Sequence, residues 1–332
     1  MKVGLRADAS QEIGAGHVMR QVALAQNLIN RGAEVFLAAS ISGPSWLRKY
    51  VAAQKGLAVV AVPEGNFDIS IFDGLNLAGL AVDSYSIDTP GLRTLESIAQ
   101  NTLCIVDGPW QNLEGKIGVS PVIDRSAPWL GETAARFDEF FAGPEFFMLR
   151  EEVLAGILPE KVGKRKGGLR VVISFGGGNF DGLIRSVILI LRQSEVPLSI
   201  NVFSPRGAGE ESAGSPGRHR VTHQSDRESF IRHATKADFV VSGLGTTTAE
   251  LCYLGIPTIF IPVVDNQIEN AMAAEKLGLG PVIWPSSDTF SVDLKRHVLS
   301  LISTIASGSV QHHKHQSRFG DGASLVADVL LR

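Results

Sequence analysis

The sequence predicts an α/β protein of two domains, each built on a parallel sheet between helices. Three observations carry this expectation. Short apolar runs without polar alternation recur between stretches of helical period, and such runs are what strands covered on both faces look like. A glycine-rich turn joins a run to a helix in each half of the chain. A charged segment bearing Gly and Pro, residues 151–168, separates the two halves and reads as a linker. The length of 332 residues is long for one core, and 44% hydrophobic residues with 35 glycines suits a well-packed α/β chain with many tight turns. The expected division is 1–155, a linker over 156–168, and 169–332.

The first element is the apolar run at Gly4-Leu5-Arg6-Ala7-Asp8, which breaks into the loop Ile13-Gly14-Ala15-Gly16. A helix follows, because Val18, Val22, Ala25, Leu28 and Ile29 recur at the spacing of one buried face. His17 then sits at the positive end of a helix dipole, beside N–H groups that favour an anion such as a diphosphate. Glycines that only make a tight turn, with His17 bonding locally, would leave the same pattern.

Four further runs read as strands covered on both faces: Val35 to Ala39, Leu57 to Val62, Leu80 to Asp83 and Leu103 to Asp107. Two of them end in aspartate. Ligands of open α/β sheets collect at the carboxyl ends of strands, so Asp83, Tyr85 and Asp107 are expected near His17. An aspartate ending a strand is equally a turn former or helix cap.

The second half restarts with the strand Leu169 to Ser174, the loop Phe175-Gly176-Gly177-Gly178-Asn179, and a helix carrying Leu183, Ile184, Val187, Ile188 and Leu191. Ala237 to Ser242 forms another strand, followed by Gly243-Leu244-Gly245-Thr246-Thr247-Thr248 and a helix with Glu250 near its start. Hydroxyls and backbone amides there are apt donors for a phosphate, and Glu250 can accept from ribose hydroxyls. After the strand led in by Gly255 and Pro257, Asn266 and Gln267 offer neutral groups at its carboxyl end, where a sugar would lie. Helix capping by the threonines, and a loop that bonds its own backbone at Asn266-Gln267, are the simpler readings. Leu325, Val326, Val329 and Leu330 give a final helix.

Several classes are set aside. Gly-x-Gly-His-x-x-Arg lacks the third glycine of the dinucleotide fingerprint and the Lys-Ser/Thr ending of a P-loop. A net charge of −3 offers no general attraction to nucleic acid or anionic lipid. No apolar stretch has the length of a membrane span and the N-terminus does not read as a secretory signal, so a cytoplasmic protein is expected. Cys104 and Cys252 cannot form a disulfide framework or a Cys-rich metal site. His312, His313 and His315, with Lys314 between them, and the basic run Lys164-Arg165-Lys166 read as solvated surface.

The motifs also resemble a known family. Asp8-Ala9-Ser10, Ile13 to Arg20, Val82-Asp83-Ser84-Tyr85, Gly143 to Arg150, Ser174 to Gly177, Ala249 to Pro257, Asn266-Gln267 and Asp321-Gly322 run in the order of the hydrolases of UDP-2,4-diacetamido-2,4,6-trideoxy-β-L-altropyranose in pseudaminic acid synthesis. Those enzymes have the GT-B fold and are related to the glycosyltransferase that makes lipid II. Two departures fall in the first half, Gly108-Pro109-Trp110-Gln111 and Val119 to Asp124, and bear on the sugar rather than the nucleotide.

The resemblance implies two facing Rossmann-like domains with an interdomain cleft, and cleavage of the anomeric C–O bond with inversion to release UDP. His17 would be the base, Tyr85 would hold water or sugar, and Asn266 would bind the sugar. Asp8, Gly14, Gly16, Arg20, Asp83 and Gln267 complete the expected substrate contacts. The loops Phe175 to Asn179 and Gly243 to Thr247 would hold the diphosphate, with Glu250 on the ribose. The expected partner is a UDP-sugar substrate, bound by a monomer, with no nucleic acid, no cofactor and no metal. A GT-B glycosyltransferase, or a binding protein without catalysis, would use the same motifs.

Overall fold

In the computed structural model, the described residues are 1–10, 12–42, 45–155, 168–204, 218–224, 229–308 and 318–332. The basic run at 164–166 and the histidines at 312, 313 and 315 lie outside them. Two compact units result, one of residues 1–154 with 318–332, the other of residues 155–317.

The first unit runs β1 (Lys2–Ala9), α1 (Gly16–Asn30), β2 (Glu34–Ile41), α2 (Ser45–Ala52), β3 (Leu57–Ala61), β4 (Leu77–Asp83), α3 (Thr89–Leu95), β5 (Ala99–Ile105), β6 (Gly115–Ser120), α4 (Trp129–Ala134), β7 (Phe137–Ala142) and α5 (Glu151–Leu154). Its seven strands lie in the order β3-β2-β1-β4-β5-β6-β7, every pair parallel. The order reverses between β1 and β4, so a crevice opens at their carboxyl ends. Asp83 closes β4 opposite Ala7 of β1, and α1 leaves β1 through the glycine loop at this place. Val18, Val22, Leu24, Ala25 and Leu28 of α1 pack on Val3, Leu5, Val35 and Leu37 in one apolar cluster.

One strand departs from the sequence expectation. β3 is the edge of the sheet and is exposed along most of its length, with Val59 and Val60 at 44% and 37% exposure, rather than covered on both faces. An apolar run records strand propensity, whereas coverage depends on strand order, which the run does not encode.

The second unit runs β8 (Leu169–Ser174), α6 (Asp181–Leu191), β9 (Leu198–Phe203), β10 (Arg220–Gln224), α7 (Phe230–Ala234), β11 (Phe239–Ser242), α8 (Thr247–Tyr253), β12 (Thr258–Phe260), α9 (Ile268–Leu277) and α10 (Phe290–Ala306). Its sheet, β10-β9-β8-β11-β12, is parallel throughout and reverses between β8 and β11. The two phosphate-type loops of the sequence follow these two strands.

The last helix, α11 (Gly322–Leu330), belongs to the first unit. Ala323, Val326, Ala327, Val329 and Leu330 join the α1 cluster, and Arg31 reaches Asp328 and Ser324. Gly322 and Gly79 allow this docking. A Cβ on Gly322 would stand 2.4 Å from the Phe147 carbonyl oxygen, and one on Gly79 would stand 2.7 Å from Leu330 Cγ.

Candidate active site

In the first unit the crevice holds a buried chain of charges. His17, the second residue of α1 and 3% exposed, places Nδ1 2.5 Å from Asp83 Oδ1. The carboxylate assigns the proton to Nδ1, which leaves Nε2 as the basic nitrogen. Arg20 lies one helical turn on, so its guanidinium reaches the same carboxylate: Nε and Nη2 donate to Asp83 at 2.9 and 2.7 Å. Nη1 and Nη2 also donate to Asp107, just beyond β5, at 2.5 and 2.9 Å. The Tyr85 hydroxyl donates to Asp107 Oδ2 at 2.9 Å.

Burial alone would raise the Asp83 carboxyl, but the charges and hydrogen bonds of Arg20 and His17 outweigh it and hold Asp83 at about 2. Burial would likewise lower Arg20, and the two aspartates more than reverse that. Burial first and Asp107 second raise the Tyr85 phenol, so Tyr85 stays a neutral hydroxyl. Counting charges, Asp83, Asp107 and Arg20 leave the cluster at one net negative when His17 is neutral. A proton taken up by the imidazole cancels that charge, which is the electrostatic arrangement of a base.

The structure gives other roles to some residues expected to touch substrate. Asp8 is 1% exposed and bound within the fold, accepting from Arg6 at 2.5 and 2.9 Å and from the N–H groups of Ser40 and Gly65. Arg20 and Asp83 are committed to each other and to their neighbours, so they orient His17. Gly14, at φ +77°, makes the turn into α1, and its N–H donates to Ser10. Gly16 opens the helix.

The second unit brings the Gly176 and Gly243 loops to one crevice, because Ser174 and Ser242, which precede them, are paired in register. Gly176 turns at φ +86° with open space where a Cβ would stand, a conformation that favours glycine. Phe175 is buried behind it, and Phe180 lies across Gly178. In the other loop, the Gly243 N–H donates to Ser174 and the Leu244 N–H to Gln267 Oε1 at 3.0 Å. Gly245, Thr246 and Thr247 therefore lead into α8. Thr246, at the N-cap position of α8, makes no side-chain cap hydrogen bond.

Gln267 also accepts from the Val263 N–H at 3.0 Å. It ties two loops together, which is the backbone-bonding alternative for this residue, while Asn266 beside it is exposed. Asn270 donates to the Leu244 carbonyl at 2.9 Å, a further loop tie. Its place one turn beyond Asn266 on a helix was the available sequence signal. Glu250 is 9% exposed on α8.

Among the described residues no group of three or more His, Cys, Asp or Glu is placed to hold a metal ion, and no helix is long and apolar enough to cross a membrane.

No protein-family model matches the chain. A curated relative, the uncharacterised protein MJ1062 of Methanocaldococcus jannaschii, is 21% identical over 79% of the chain. The chain spans about half of that protein, 55% of its length. Solved structures match over nearly the whole chain. MurG of Acinetobacter baumannii is 16% identical with a TM-score of 0.65, covering 99% of each chain. The spinosyn rhamnosyltransferase SpnG complexed with thymidine diphosphate is 15% identical with a TM-score of 0.56, covering 99% of this chain and 100% of its own. Arabidopsis thaliana UGT89C1 complexed with UDP is 13% identical with a TM-score of 0.62, covering 99% of each. The fold is GT-B, with two parallel-sheet units flanked by helices.

These matches correct the hydrolase expectation. These structural neighbours are GT-B glycosyltransferases, which favours the glycosyltransferase alternative over the hydrolase. The motifs behind that expectation carry the fold, which does not separate water from another acceptor.

Proposed function

We propose that this chain is a glycosyltransferase that moves a sugar from a nucleoside diphosphate donor to an acceptor hydroxyl. The observation that carries the reading is the buried His17–Asp83–Arg20–Asp107 chain at the β1/β4 crevice, built to let one imidazole accept a proton. The likeness to structures solved with thymidine diphosphate and UDP supports the donor class.

In this reading His17 Nε2 takes the acceptor proton as the acceptor oxygen bonds to the anomeric carbon. The bond from that carbon to the diphosphate breaks, the nucleoside diphosphate leaves, and the configuration inverts. Asp83 holds the imidazole in its tautomer and stabilises the imidazolium. The Gly176–Asn179 and Gly245–Thr247 segments bind the diphosphate and stabilise charge growing on it, Glu250 accepts from the ribose hydroxyls, and Asn266 binds the sugar. Tyr85 orients the acceptor.

The test is nucleotide release from UDP- and TDP-hexoses with and without an acceptor panel, for wild type and His17→Asn. Acceptor-dependent release that falls roughly 10²- to 10⁴-fold in the variant is the expected result. Release that ignores the acceptor, or that survives His17→Asn, overturns the proposal.

A further inference from the structure

Trp110 stands outside the charge chain, on the segment where the sequence departs from the family it resembles. Its indole is 44% exposed, and its centroid lies 6.3 Å from that of Tyr85 at an interplanar angle of 79°. The Tyr85 ring stands edge-on to His17 at 4.3 Å. The indole is therefore two ring contacts from the imidazole.

Its position is built rather than incidental. The indole lies across Gly108, where a Cβ would come within 2.2 Å of the six-membered ring. Beneath it, Gln111 is 6% exposed, accepts the Asp107 N–H on Oε1 at 2.6 Å, and donates its own N–H to the Gly108 carbonyl. Asp107 is the residue that joins Arg20 to Tyr85, so one short loop fixes both the charge chain and the indole. A lone exposed apolar side chain needs no explanation. An indole seated on a glycine, anchored by a buried glutamine and set edge-on to the tyrosine beside His17, presents a rigid, half-exposed aromatic face.

We infer that Trp110 is the platform on which the acceptor ring stacks, bringing its hydroxyl toward His17. The ligand it fits has a flat apolar ring face, either the C–H face of a pyranose or an aromatic ring. This rests on the transferase reading for what the ring is doing there, but not for its binding.

Saturation-transfer NMR on the full chain with saturating UDP tests the binding directly, using methyl β-D-glucopyranoside, methyl N-acetyl-β-D-glucosaminide and 2-naphthol as probes. Transfer from wild type to at least one probe, lost several-fold in Trp110→Ala and largely kept in Trp110→Phe, is expected, with UDP affinity unchanged within about twofold. Signal on pyranoside C–H protons identifies a sugar ring, and signal on naphthol an aromatic one. No Trp110-dependent signal from any probe overturns the inference.

Kinetics separate the two claims. Trp110→Ala should raise acceptor KM roughly tenfold and leave donor KM unchanged. An unchanged acceptor KM in an active enzyme refutes the platform alone. Trp110-dependent binding without transfer to any acceptor refutes the transferase reading and leaves the platform standing.

Discussion

Replacing Arg20 by Met tests the electrostatics of the site without relying on activity. In the wild type Asp83 is depressed from 3.8 to about 2, and just under two units corresponds to about 2 kcal/mol. Because the folded value lies below the unfolded one, this stability is present above pH 4 and is lost as the pH falls through 2. The variant removes four hydrogen bonds from two carboxylates, one of them 1% exposed. The charge and hydrogen bond of His17 remain, so burial is opposed by less and the Asp83 carboxyl rises from its wild-type value. The wild-type contribution is complete above pH 4 and the variant lacks it, so the penalty at pH 7 is at least as large as at pH 4.5. Breaking such a buried pair costs about 3–5 kcal/mol at neutral pH, a large part of a typical domain's stability. Urea unfolding followed by circular dichroism at pH 4.5 and pH 7 measures both effects. A penalty below about 1 kcal/mol at pH 7, or one that shrinks between pH 4.5 and pH 7, refutes the reasoning.

Three more outcomes follow from the packing. Gln267→Ala leaves the Leu244 and Val263 N–H groups without their acceptor, at about 1–3 kcal/mol; UDP and TDP binding measured by calorimetry should weaken about tenfold, and unchanged affinity would separate this loop from the nucleotide. Gly322→Ala pushes a methyl into the Phe146 and Phe147 backbone, which cannot yield as a side chain can, so α11 should loosen and urea stability fall by about 1–3 kcal/mol. Burial pushes the Cys252 thiol up to about 12, and burial with the nearby Asp83 carboxylate raises Cys104 as well; a thiol-reactive disulfide at pH 8 should label neither until urea opens the fold, and rapid native labelling would contradict their burial.

The site was legible where its logic is local. His17 and Arg20 sit one turn apart on a helix, and Asp83 ends an apolar run, so spacing brought them forward together. The Arg6–Asp8 pair was equally local, two residues apart on one face of a strand. A partner at that spacing was the signal that Asp8 is structural. Gln267 was only half local: its tie to Val263 spans four residues within one loop, whereas its tie to Leu244 joins segments that strand order brings together. The same limit hid the exposure of β3. Asp107, like Asp83, ends an apolar run and was placed near His17 on that ground, whereas Trp110 belonged to no periodic pattern and its place beside Tyr85 emerges only in the fold.

The two crevices share a topology and differ in what fills them, and that difference argues for their division of labour. At the β1/β4 reversal the space is occupied by side-chain charge, two carboxylates against one guanidinium, beside the His17 imidazole. A diphosphate would meet repulsion there in a dry environment where charges interact strongly, so the anion that α1 suggested from sequence alone is disfavoured by Asp83. At the β8/β11 reversal the loops carry Gly176, Gly177, Gly178, Asn179, Gly245, Thr246 and Thr247, which offer amides and hydroxyls and no carboxylate of their own. An anion is stabilised by such groups and an acceptor proton is drawn by the former. On the proposed transferase reading, the same parallel-sheet architecture supplies a base in one unit and a nucleotide cradle in the other, because its reversal point is furnished with side chains in the first and with backbone in the second.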